Sequence, residues 1–291
     1  MIDQPGRYPN IPFADYLADP CPDPSISRSV IRDLLNCPAK AYANHPRLNP
    51  AYVPDEDSEK FDIGTAAHAL FLQGLDVATV IDADDWRKKE AKEARDAARI
   101  AGKVPLLTRQ YDAVADMVEV ASEALAASEL KCLLANGESE QTFIWKEDET
   151  WFRIRPDWIR KDNALILDYK TAESARESDF KRSIDAYGYD IQDSLYRRGV
   201  MEVCGTIPDF VFMVQEKTPP YLCSFFRLDA MFSDMGEGKV KQGIAIWREC
   251  MASGKWPGYS SGIVSLEPPP WALAAWESKR FSFETERKCE L

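Results

Sequence analysis

Asp168 and Lys170 stand two positions apart at the end of the apolar run Ala-Leu-Ile-Leu (residues 164–167), and Asp157 follows Pro156 upstream of them. Side chains alternate along a strand, so Asp168 and Lys170 project from one face. Two carboxylates converging on one point can hold a hard divalent cation such as Mg²⁺, which takes oxygen ligands and keeps several waters. A lysine beside that cation can orient or deprotonate a water and offset charge on a transferring phosphoryl group. The same D-x-K spacing also occurs as a cross-strand salt bridge on a solvated face, where it carries little energy. The apolar run leading into it argues for burial, and acids and lysines are seldom buried without a purpose.

The elements that must position these groups can be read from patterning. Three runs rich in aromatic and β-branched residues, 141–146, 151–159 and 164–169, are separated by polar turns at 147–150 and 160–163, the pattern of an antiparallel meander. Two further candidate strands, 210–215 and 221–228, widen the sheet to five. Ser25 or Ser27 can cap a helix running to about residue 44, with Val30, Ile31, Leu34 and Leu35 on its apolar side and an interruption at Cys37-Pro38. Further helices are expected over 61–74, over the heavily charged 84–103, from Thr108 to the stop pair Asn136-Gly137, up to residue 186, over 190–204, over 229–253 and over 271–279. Residues 1–24 carry prolines at 5, 9, 12, 20, 22 and 24 and read as an extended arm with little regular structure. Residues 49–60 read as a polar loop with acids at 55, 56, 57 and 59. The expected fold class is α/β (α+β), a central mixed sheet of about five strands flanked by helices. A single domain is expected over 25–291, behind the arm at 1–24. It comprises a mainly helical part at 25–137, the catalytic sheet with its helices at 138–228, and C-terminal helices at 229–291.

The P-D…D-Y-K pattern of Pro156-Asp157 and Asp168-Tyr169-Lys170 resembles the PD-(D/E)XK nuclease superfamily. Three other motifs narrow the resemblance to its RecB-like and RecE-like branch, the exodeoxyribonuclease VIII catalytic-domain type. They are the G-x-x-x-H of Gly64 and His68, the Q-x-x-x-Y of Gln192 and Tyr196, and the S-x-S…C-P-x-x-x-Y stretch at 27–42. All four occur in the order that branch shows. The resemblance implies a restriction-endonuclease-like core and a metal-dependent DNA exonuclease. Such an enzyme would degrade linear duplex DNA from the 5′ end and leave 3′ single strands for an annealing partner protein. It implies that Asp157, Asp168, His68 and the main-chain carbonyl of Tyr169 bind Mg²⁺, with Mn²⁺ able to substitute. Lys170 would position the attacking water, and Gln192 and Tyr196 would complete the catalytic set. Glu140, an acid ahead of the P-D strand, is an auxiliary candidate. Ser27, Arg28, Arg153, Arg155, Lys181 and Arg182 are the candidate DNA contacts. Some relatives pair the cysteine of the C-P motif with a C-terminal cysteine cluster to hold an iron–sulfur centre; Cys37 has no such cluster to join, so none is expected. A phage or bacterial setting and a homo-oligomeric ring are further implications. Two alternatives stay open: a structure-specific or single-strand nuclease with the same site, and a non-catalytic DNA-binding recombination scaffold. Against the scaffold, His68, Asp157, Asp168 and Lys170 are all present.

Composition sets the outer bounds. The chain has 291 residues, 45% of them apolar, which suffices for one large core. Its net charge of −12 argues against indiscriminate binding to nucleic acid. Residues 151–200, however, hold ten Lys/Arg against nine Asp/Glu. Seven scattered cysteines without a C-x-x-C indicate neither a zinc ribbon nor a disulfide framework. No apolar run reaches membrane-spanning length, and the first residues lack a signal-peptide pattern, so a cytoplasmic protein with no membrane partner is expected. No phosphate loop of the G-x-x-x-x-G-K-[S/T] type occurs, so no nucleotide cofactor is expected. A tail carrying Trp256, Tyr259, Trp271 and Trp276 is expected to dock on the body or on a neighbouring subunit.

Overall fold

The aromatic and β-branched runs of the central third become strands, yet they part into two sheets. The computed structural model describes residues 1–53, 59–131 and 133–289, with side chains over 1–53, 62–131 and 133–279. In chain order it shows β1 (Gly6–Tyr8), α1 (Phe13–Leu17), β2 (Ser25–Ile26), α2 (Arg28–Asn36), α3 (Pro38–Ala43) and α4 (Glu59–His68), the last continuing as a wider turn over Ala69–Gln73. Then come β3 (Ala78–Ile81), α5 (Lys89–Ile100), β4 (Val104–Leu107), α6 (Thr108–Ala127), β5 (Gly137–Ser139), β6 (Thr142–Glu147), β7 (Thr150–Ile154), β8 (Trp158–Arg160) and β9 (Leu165–Ala172). The order closes with α7 (Glu177–Tyr187), α8 (Tyr189–Cys204), β10 (Asp209–Glu216), β11 (Cys223–Phe226), α9 (Ala230–Ser253) and α10 (Pro270–Cys289). The chain divides into two compact units, Met1–Pro257 and Gly258–Leu291. The second contains α10, on which Trp271 and Trp276 are exposed.

The five-stranded sheet runs β11-β10-β9-β8-β5 and is mixed: β9 and β10 are parallel, and the other neighbours are antiparallel. A second sheet runs β1-β6-β7-β2, and β3 pairs in parallel with β4. Residues 151–159, read from the sequence as one strand, are therefore two. β7 lies in the four-stranded sheet and β8 in the five-stranded one, and Arg155-Pro156-Asp157 carries the chain between them. Pro156 has no N–H to give a ladder, so the switch falls where pairing is weakest.

The arm is also more ordered than its prolines suggest. β1 pairs with β6, β2 pairs with β7, and α1 lies between them in sequence. A buried polar knot fixes it. Asp19 accepts from the Ser25 N–H at 2.8 Å and the Ser25 hydroxyl at 2.7 Å, and it pairs with Arg153 at 3.2 Å. Other boundaries move as well. The long helix from Thr108 stops at Ala127, the charged helix shortens to Lys89–Ile100, and the β3–β4 pair falls where no strand was expected. Of the polar loop at 49–60, residues 54–58 lie outside the described residues.

Alternation along β9 divides the core. Ile166 faces one cluster with Phe210, Phe212 and Val214 of β10 and Ile191 and Leu195 of α8. Leu165, Leu167 and Tyr169 face the other, with Ala66 and Ala67 of α4, Phe71 of the turn that continues it, and Val114 and Met117 of α6. Helices thus cover both faces of the strand that carries Asp168 and Lys170. Among the described residues no helix is long and apolar enough to cross a membrane.

Candidate active site

β9 enters the site as a buried strand and leaves it half-buried, because its partner ends early. β8 pairs only Trp158 with Leu167 and Ile159 with Ile166, so the edge of β9 beyond Leu167 is not taken by a strand. Asp157 fills that edge: its Oδ2 accepts the Tyr169 N–H at 3.0 Å. The N–H and carbonyl of one strand residue leave the strand on the same side, so the Tyr169 carbonyl is directed to this edge too. Asp168, on the other face, is fully buried. Its Oδ2 is ion-paired with the Lys170 ammonium, and its Oδ1 accepts from Gln192 Nε2 of α8 at 2.5 Å. The expected sharing of a face by Asp168 and Lys170 is what lets them pair.

His68 arrives from α4. Its Nε2 lies 3.3 Å from Asp157 Oδ2 and its Nδ1 3.6 Å from Glu140 Oε1. Helix approach is the precondition, and Gly64, one turn earlier on the same side of the helix, permits it. A Cβ there would lie 2.8 Å from Thr171 Oγ1, just past the D-Y-K of β9. Glu140 sits between β5 and β6 with a left-handed φ of 56°, unusual for a residue with a side chain. Its N–H donates to the Asp157 carbonyl at 3.0 Å, and its Oε2 is ion-paired with Arg155. Arg155 also donates to the Ile11 carbonyl at 2.7 Å and to Thr142 Oγ1 at 3.2 Å, tying the arm to the site.

Donor atoms of His68, Glu140 and Asp157 all lie within 4.8 Å of one another. One imidazole nitrogen and two carboxylate oxygens are a donor set for a divalent cation. The side chains of His68, Glu140, Asp157 and Lys170 each remain about a fifth exposed (22%, 22%, 19% and 20%), so solvent reaches them. Glu140, read from the sequence as auxiliary, belongs to this set. Asp168 is not one of the three and is turned to Lys170 and Gln192.

Burial and charge act on these groups in opposite directions. Burial drives the Asp168 carboxyl up, the neighbouring Asp157 adds to this, and together they outweigh Lys170 and bring it to about 6. Burial also works against ionised Asp157, but His68, Lys170 and the Tyr169 N–H hold it down at about 2. Glu140 is raised by burial and by Asp157, in spite of Arg155. Burial alone would lower both His68 and Lys170; the surrounding carboxylates reverse this and raise both. Burial foremost thus raises the Asp168 and Glu140 carboxyls, and Asp157 is the carboxyl that His68 and Lys170 hold ionised.

The remaining candidates separate by environment. Arg28 donates to the Tyr187 carbonyl and lies over the Tyr189 ring, 5.7 Å from its centroid. Lys181 and Arg182 are exposed and pair with Glu177 and Asp179 on their own helix. Ser27 and Arg153 are enclosed by the protein. Ser27 is buried, with its hydroxyl 3.0 Å from that of Ser29, and Arg153 is locked in the Asp19–Ser25 knot. Ser27 does hold the N-cap position of α2, but its side chain makes no capping bond. Tyr196 is buried edge-on against Phe210, its phenol pushed well above 10, first by burial. Tyr189, which falls between the helices expected up to residue 186 and over 190–204, opens α8.

A mixed sheet with helices on both faces, P-D at the edge of the D-x-K strand and a histidine from the preceding helix, is a PD-(D/E)XK-type architecture. The chain belongs to the family described as a PDDEXK-like domain of unknown function (DUF3799), which it matches over residues 27–267. No curated protein matches it significantly. Among solved structures it is similar to a Eubacterium rectale protein provisionally described as an exonuclease. That likeness has 13% identity and a TM-score of 0.59, and covers 87% of this chain and 93% of the other. Weaker likenesses are to an alkaline exonuclease from Laribacter hongkongensis (11% identity, 65% and 95% coverage, TM-score 0.27) and to a protein called SSO0001 (12%, 69% and 97%, TM-score 0.26). The first shows a shared fold; the other two carry no argument.

Proposed function

We propose that the protein is a divalent-metal-dependent nuclease hydrolysing DNA phosphodiesters. More finely, it is an exonuclease on linear duplex DNA that works from the 5′ end and leaves 3′ strands for annealing. The observation that carries the reading is the meeting of His68, Glu140 and Asp157 within 4.8 Å beside the Asp168–Lys170 pair. His68, Glu140 and Asp157 would hold the cation, Mg²⁺ or Mn²⁺, with Asp168 and the Tyr169 carbonyl completing its surroundings. When bound, the cation supplies Lewis-acid stabilisation of developing phosphoryl charge and acidifies water at the site. Lys170, its pKa raised by Asp168 and Asp157 against the pull of burial, is an ammonium at neutral pH. It therefore acts as a fixed charge and hydrogen-bond donor toward the attacking water and the phosphate, not as a base. Gln192 holds Asp168, and Asp168 holds Lys170. Arg28 on α2 (Arg28–Asn36) and Lys181 and Arg182 on α7 (Glu177–Tyr187) are the arginine and lysine contacts proposed for flanking phosphates.

The test is digestion of 5′-phosphorylated, end-labelled linear duplex with Mg²⁺ or EDTA, comparing wild type with Asp168→Ala. Loss of duplex with wild type and Mg²⁺ alone is expected, label release giving the polarity. An absence of cleavage of duplex, single-stranded and flapped DNA under every divalent cation tried would overturn the reading.

A further inference from the structure

The Lys170 ammonium is ion-paired with Asp168. It also lies over the face of Tyr189, whose ring centroid is 5.5 Å from Lys170 Nζ. The Arg28 guanidinium lies 5.7 Å from the same centroid. One ring thus meets two cations of the proposed site, one from β9 and one from α2.

The ring is itself held from several sides. Phe180 stacks on it at 5.6 Å and 23°, Phe212 of β10 lies at 5.5 Å and Tyr187 at 5.7 Å. Phe180 is in turn stacked on Phe226 of β11 at 4.7 Å. Tyr189 opens α8 directly after Gly188, whose left-handed φ of 66° ends α7. That turn requires a glycine, and it sets the ring three residues before Gln192 on the same helix. A lysine side chain is long and many-rotamered, and one carboxylate fixes its distance more than its direction. An aromatic face adds a second restraint through its quadrupole.

We infer that Tyr189 is the positioning residue of the catalytic lysine: its ring face fixes the Lys170 ammonium and the Arg28 guanidinium as a pair of cations for the substrate phosphates. The phosphate part rests on the nuclease reading; the hold on Lys170 does not. The ring face carries the effect and the hydroxyl does not, so Tyr189→Phe recovers what Tyr189→Leu loses.

The experiment compares wild type, Tyr189→Phe and Tyr189→Leu in two readouts. In metal-free protein labelled with ¹³C-lysine, ring current moves the Lys170 ε-methylene resonance upfield of the exposed lysines, and Lys170→Met assigns it. The shift is expected in wild type and Tyr189→Phe and absent in Tyr189→Leu. In steady-state hydrolysis of linear duplex with Mg²⁺, Tyr189→Leu lowers kcat about tenfold. Tyr189→Leu also lowers the thermal midpoint, because the ring packs on Phe180 and Phe212; Mg²⁺ affinity stays close to wild type, and Tyr189→Phe restores both kcat and the midpoint. An unshifted Lys170 resonance in wild type, a Leu variant as active as wild type, or a Phe variant as impaired as Leu would each overturn the inference. Were wild type to cleave no DNA, the nuclease reading would fall alone, and the resonance would still decide whether the ring holds Lys170.

Discussion

Replacing Asp168 by asparagine should make the metal-free protein more stable while destroying its activity. Asp168 is fully buried, and burial with the charge of Asp157 pushes its carboxyl up from 3.8 to about 6. An acid whose folded pKa exceeds its unfolded one binds more protons when folded. Its contribution to stability therefore falls as pH rises from about 4 to about 6, and stays lost above. Two pKa units at about 1.4 kcal/mol each put the cost of the ionised group near about 3 kcal/mol. Asparagine keeps the shape and a carbonyl for Gln192 but removes the charge. Lys170 loses its closest partner yet keeps the field of Asp157. The variant should gain about 2–3 kcal/mol at pH 8, or roughly 5–10 °C in midpoint for a unit of this size. The gain should vanish towards pH 4. The assay is thermal unfolding followed by circular dichroism in EDTA at pH 4.5, 6 and 8, beside DNA cleavage in Mg²⁺. A variant less stable than wild type at pH 8 would show that the Asp168–Lys170 pair supports the fold, and the reasoning would fail.

Three further outcomes follow from the same geometry. Buried His45 is neutral: Nε2 donates to the Ser25 carbonyl at 3.1 Å, Nδ1 accepts the Arg47 N–H at 3.2 Å, and burial foremost lowers its pKa to about 4. The unfolded chain takes that proton first, so stability is lost as pH falls from 6.5 to about 4, by about 2 kcal/mol between pH 7 and 5. In wild type the Asp168 slope runs the opposite way, so denaturant titrations of Asp168→Asn should reveal the loss, and a flat profile there would refute it. His68→Ala should weaken Mn²⁺ binding at least tenfold by isothermal titration, and unchanged affinity would remove His68 from the donor set. Arg155→Gln frees both Glu140 and the Ile11 carbonyl. It should weaken Mn²⁺ binding about tenfold and speed proteolysis within residues 1–24, and an unaltered cleavage rate would deny Arg155 its role in anchoring the arm.

What was legible in the sequence was local. The apolar run before Asp168 showed a buried strand, alternation put Lys170 beside Asp168, and the motif order placed His68 and Gln192 near both. What was not legible depended on partners far along the chain. Alternation continues through 151–159, so nothing local showed that β7 and β8 belong to different sheets. Arg153 reads from the sequence as a candidate DNA contact, and only Asp19, 134 positions away, makes it a buried tie. The arm's prolines correctly forbade long elements. They were silent on β1, because three residues pairing with β6 leave no periodic trace. Glu140 was visible as an acid ahead of the P-D strand, but its place among the donors depends on a left-handed backbone that a sequence pattern does not encode.

The switch between sheets is also what makes the site. Had β7 run on through residue 159 as one straight strand, its N–H and carbonyl groups would have paired along β9 and closed the edge at residues 168–170. Pro156 interrupts that ladder, and β8 resumes pairing only at Trp158. Asp157 is left at the break with its carboxylate on the Tyr169 N–H, the position a neighbouring strand would otherwise take. The same break brings the Glu140 N–H onto the Asp157 carbonyl, so the two carboxylates of the proposed site are tied through main chain. Proline in the P-D motif is therefore not a spacer. Its missing donor leaves a strand junction with two convergent acids, and His68, close to them where Gly64 meets Thr171, reaches the same point from the helical side.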